Sequence, residues 1–65
     1  NSKLSDRQLE VMRLLYEGKS DSEIADKLFI SLNTVNNHRK NSFRKVGVHS
    51  FPEFMRYAMQ NNLFK

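Results

Sequence analysis

The chain has 65 residues, a net charge of +4 and no cysteine. That length allows one small domain, which buries only about 60% of the surface its unfolded chain exposes. The missing cysteine excludes disulfides and thiolate metal sites, and no apolar run approaches the ~20 residues of a membrane span. No signal-peptide pattern is visible. The first residue is Asn1 rather than methionine, so a fragment of a larger protein is expected.

Two glycines, one proline and no alternating apolar runs predict an all-α chain of four helices. Ser5-Asp6-Arg7-Gln8 is a capping box, flanked by Leu4 and Leu9 as a hydrophobic staple. Helix 1 runs from there to about Tyr16, with Val11, Met12, Leu14 and Leu15 as its apolar side. Gly18 closes it as a left-handed residue. Ser20-Asp21-Ser22-Glu23 is a second capping box, its acids well placed for the helix dipole. Helix 2 is short, to about Phe29, and buries Ile24, Ala25 and Leu28. Ser31 caps helix 3 almost at once, and so tight a connection forces a steep helix–turn–helix angle. Helix 3 spans about 32–46 and Gly47 stops it. Ser50-Phe51-Pro52-Glu53 opens helix 4, about 51–61, with a serine cap, a proline in the first turn and Asn61 or Asn62 as its left-handed end.

Charge is unevenly spread along these elements. Residues 1–30 carry five bases and six acids, residues 31–46 four bases and no acid, and residues 47–65 two bases and one acid. The middle segment therefore accounts for the whole positive excess, the footprint expected for a polyanion partner. Advancing ~100° per residue from Asn36 puts Leu32, Val35, Arg39, Ser42, Phe43 and Val46 in one arc, between about 240° and 340°. Asn33, Asn36, Asn37, Lys40, Asn41, Arg44 and Lys45 share the opposite, acid-free arc. Asparagine bonds adenine N6 and N7, and lysine reaches guanine O6 and N7. Arginine, serine and threonine at the margins suit phosphates. The bland alternative is a solvated face, but four asparagines between residues 31 and 41 weaken a helix and contribute nothing to its packing. A helix built for stability would carry glutamate–lysine pairs four apart.

The chain resembles the LuxR/GerE-type, or NarL-type, helix–turn–helix domain along nearly its whole length and without gaps. The resemblance rests on Leu4-Ser5-Asp6-Arg7-Gln8, Glu10-Val11-Met12, Gly18, Glu23-Ile24-Ala25 and Leu28-Phe29-Ile30-Ser31. It continues through Thr34-Val35-Asn36-Asn37-His38, Lys45-Val46-Gly47-Val48 and Glu53-Phe54 with Tyr57-Ala58. It implies a DNA-binding domain over residues 1–65, at the C-terminus of a bacterial, cytoplasmic transcription regulator such as a response regulator. It implies base contacts from Asn36, Asn37 and Lys40, and phosphate contacts from Ser31, Asn33, Thr34, Arg44 and Lys45. Its partners would be double-stranded DNA, a second copy on that DNA, and RNA polymerase for the full-length regulator. No cofactor and no membrane contact are implied.

Departures from the family pattern are informative. Asn36 replaces the usual lysine, which favours adenine readout. Gln8 replaces a glutamate, keeping the cap but losing any ion pair. Ser42 replaces an apolar residue, with Phe43 expected to fill the space, and Phe51 replaces an arginine. Arg39, in the apolar arc, is expected to pair with an acid from another helix, Glu10 or Glu17. His38 reads as a structural or phosphate-facing histidine rather than a pH switch. Phe51, Phe54, Met55 and Ala58 share the core-facing arc of helix 4, while Tyr57, Met59, Leu63 and Phe64 are candidates for a dimer surface. With no nucleophile–base pair, metal cluster or phosphate-cradling glycine loop, an enzyme is not expected. The alternative is a helix–turn–helix module that binds protein.

Overall fold

Four serines open four helices: α1 (Asp6–Tyr16), α2 (Asp21–Leu28), α3 (Leu32–Val46) and α4 (Phe51–Gln60). This is a computed structural model, and it describes residues 3–64. In α1 the capping box is complete. Ser5 Oγ accepts the Gln8 N–H at 3.2 Å, and Gln8 Oε1 accepts the Ser5 N–H at 3.0 Å. In α2, Ser20 and Glu23 repeat the arrangement at 3.1 and 2.8 Å. The Ser20 backbone N–H, bonded to the Glu23 carboxylate, holds that carboxyl below its ordinary range. In α4 the box is displaced. Ser50 Oγ accepts the Glu53 N–H at 3.4 Å, but the Glu53 carboxylate takes the His49 N–H at 2.7 Å.

The helices also end alike. An N–H reaches back five residues at each end: Lys19 to Leu14, Ile30 to Ala25, Val48 to Phe43 and Leu63 to Ala58, all at 2.9–3.0 Å. The residue before each of these donors is left-handed: Gly18 (φ +97°), Phe29 (+59°), Gly47 (+80°) and Asn62 (+51°). Glycine and asparagine tolerate that conformation. Phe29 does not, and a side chain there costs roughly 1–2 kcal/mol. The strain in the turn between α2 and α3 is not foreseeable from sequence, because nothing about a phenylalanine announces it.

Val11 and Met12 of α1, Ile24 of α2, Val35 of α3 and Phe54 of α4 are wholly enclosed and form one core. Phe54 is its hub, with ring centroids 5.9 Å from Phe43, 6.2 Å from Tyr57 and 6.3 Å from Phe64. The turn after α4 brings Phe64 to 5.3 Å from Tyr16, so that turn packs back on α1. The Cα radius of gyration is 10.8 Å, near the value for one domain of this length. α3 packs against both α1 and α2, which leaves its remaining face outward.

Candidate nucleic-acid interface

The outward face of α3 begins at its cap. Ser31 Oγ accepts the Thr34 N–H at 3.1 Å and shares a 2.9 Å hydrogen bond with the Thr34 hydroxyl. Where α1 and α2 carry Gln or Glu at the third helical position, α3 carries threonine, so no negative charge stands at its start. Val35 and Ser42 form the buried seam of α3. Ser42 is 0% exposed, and its hydroxyl donates to the His38 carbonyl at 2.6 Å, which satisfies the buried oxygen. His38 itself is half-buried, and Phe43 stacks on Phe54. Leu32 departs from the apolar arc: at the first turn, before the neighbouring helices cover α3, it is 53% exposed.

Asn33, Asn37, Lys40, Asn41 and Arg44 are all exposed. Their side chains make no hydrogen bond or ion pair with any described residue. The other two cations are tied down. Lys45 Nζ donates to Gln8 Oε1 on α1 at 3.1 Å. Arg39 Nη1 grips both carboxylate oxygens of Asp21 at 2.8 and 2.7 Å, and Arg39 Nη2 donates to Asn36 Oδ1. Arg39 thus pairs with an acid from another helix, but the partner is Asp21 rather than Glu10 or Glu17. Those two are engaged within α1, Glu10 with Arg7 at 3.3 Å and Glu17 with Arg13 at 3.5 Å. The arc that carries Arg39 faces the start of α2.

The site residues proposed from sequence therefore fall into three groups. Asn37, Lys40, Asn33 and Arg44 project outward with their polar groups uncommitted. Ser31 and Thr34 bond each other at the α3 start. Asn36 and Lys45 are engaged with side chains inside the domain. In the candidate dimer surface only Met59 is largely exposed, at 64%. Tyr57, Leu63 and Phe64 are partly buried and pack on the core. Sequence reasoning missed the Asp21–Arg39–Asn36 chain. The only available signal was an arginine in an apolar arc, and that does not name its partner across eighteen residues.

Among the described residues there is no group of acids and histidines arranged to hold a metal, and no helix long and apolar enough to cross a membrane. The fold and its cationic third helix define a helix–turn–helix domain. The chain belongs to the family described as "Bacterial regulatory proteins, luxR family", which matches over residues 2–58. It is also similar to the oxygen regulatory protein NreC of Staphylococcus aureus strains JH9, JH1 and Mu3, with 40% identity over 62 residues in each case. That match covers 95% of this chain and 29% of the relative, so the chain spans under a third of the length of these proteins. It is a DNA-binding domain of transcription regulation.

Proposed function

We propose that α3 enters the major groove of double-stranded DNA and reads base edges there. The supporting observation is the face formed by Asn33, Asn37, Lys40, Asn41 and Arg44: exposed, acid-free and without a side-chain partner among the described residues. The groove is about 12 Å wide and admits one helix. Asn36, Asn37 and Lys40 contact bases. Ser31, Asn33, Thr34, Arg44 and Lys45 contact phosphates, aided by the partial positive charge of the α3 N-terminus.

The same reading covers the longer protein. Residues 1–65 act as the DNA-binding domain at the C-terminus of a cytoplasmic bacterial response regulator that also contacts RNA polymerase. Two copies bind half-sites about one helical turn apart, meeting through α4, where Met59 offers the most exposed apolar surface.

The test is an NMR titration of the labelled domain with a short mixed-sequence duplex at low salt. The expected result is amide shifts across residues 31–45 that fade as salt rises. Still amides in α3, or a response from α4 alone, would overturn the reading.

A further inference from the structure

We infer that Asp21 and Arg39 are positioning residues that set which base Asn36 reads. The inference rests on the reading of α3 as the DNA-contacting helix and adds a specificity to it. An arginine side chain has five donors and no acceptor. Its contact with the Asn36 amide therefore fixes the amide's orientation: the oxygen turns toward Arg39 Nη2, and the NH2 group turns away. Arg39 does not yield easily, because Nη1 is held by both oxygens of Asp21, and such charge-assisted hydrogen bonds are about twice as strong as neutral ones. Asn36 is half-buried at the edge of the outward face, so it meets DNA with the group left over, a pair of N–H donors.

That alters the expected readout. Adenine shows an acceptor at N7 and a donor at N6, and needs both ends of an amide. Guanine shows two acceptors, N7 and O6, and meets a pair of donors. At the base pair facing Asn36 the domain prefers guanine over adenine, the reverse of what an unrestrained asparagine selects.

The experiment is selection from a randomised duplex library at low salt with the natural chain, Asn36→Ala, Asn37→Ala, Arg39→Met and Asp21→Ala. Thermal melts of each protein serve as the fold control. Asn36→Ala identifies the base position concerned. There the natural chain selects guanine, and both Arg39→Met and Asp21→Ala move the preference toward adenine by on the order of tenfold. Asp21→Ala carries the test alone if Arg39→Met does not fold. Adenine selected by the natural chain, or an unchanged base preference with only weaker binding in the variants, overturns the inference. So does Asn36→Ala leaving every position unchanged while Asn37→Ala relaxes one, which keeps α3 as the reading helix. If no substitution in α3 affects selection, the reading of the helix itself fails.

Discussion

α1 and α3 are built on opposite plans. α1 is locally self-sufficient: a reciprocal capping box opens it, a left-handed glycine closes it, and Arg7–Glu10 and Arg13–Glu17 lie along its surface three and four residues apart. α3 has a serine cap without the return bond, no acid, no ion pair of its own and a run of weak helix formers. Its stability is supplied from outside, by Val35 and Ser42 in the core and by ties to Asp21 on α2 and Gln8 on α1. The difference shows what a helix with an open outer face gives up. Side chains that would brace it locally would also cover or neutralise the surface proposed to meet DNA.

The comparison breaks most severely if the external support is removed. Phe54→Ala takes out the ring that α3 rests on through Phe43 and is expected to cost about 3–5 kcal/mol. In a 65-residue domain that approaches the whole stability, and urea denaturation followed by circular dichroism checks it. Changes on the outer face should do the converse. Asn37→Ala is expected to relax preference at one base position, about 1–3 kcal/mol, and Arg44→Ala to lower the salt dependence of binding by about one unit. Both should leave the melting curve within about 0.5 kcal/mol of the natural chain, and a larger loss of stability would mean that the face is not free. Ser31→Ala removes the one local device at the start of α3 and should cost about 1 kcal/mol in the same denaturation assay.

The smallest effect concerns acid. The folded-state pKa of Glu23 is depressed, so its contribution is complete above the ordinary glutamate range and is lost as pH falls through the depressed value. Stability measured down that range should fall less for Glu23→Gln than for the natural chain. The start of α3, which has no carboxylate, should add nothing to the slope.

Much of this was readable from local chemistry. All four serine caps, the left-handed ends at Gly18, Gly47 and Asn62, and the core-facing Phe51, Phe54 and Ala58 follow from short-range rules about donors, backbone and periodicity, whereas Met55, expected in the same arc, is only half-buried and does not join the core cluster. The outward arc of α3 was equally legible, because a helical period is a strong constraint. What escaped were facts that depend on two distant segments meeting. Periodicity indicated that Arg39 was half-inside but not that α2, rather than α1, faced it. Tyr57 lies outside the ideal arc of α4, yet it packs beside Phe54, since a large ring reaches around a helix. Phe29 adopts a left-handed backbone because the connection to α3 demands it, and no property of phenylalanine predicts that.

The contact between Lys45 and Gln8 has one more consequence. A glutamine there anchors the lysine as a glutamate would, but it does not cancel its charge. Of the four cationic side chains between residues 31 and 46, only Arg39 is ion-paired among the described residues. The fields of Lys40, Arg44 and Lys45 therefore add and extend into solvent over roughly the 8 Å Debye length of physiological salt. Such a field mainly shortens the time taken to find a polyanion and does little to lengthen the time spent on it. A single neutral amide on α1, outside the third helix, thus bears on how fast the domain arrives at DNA.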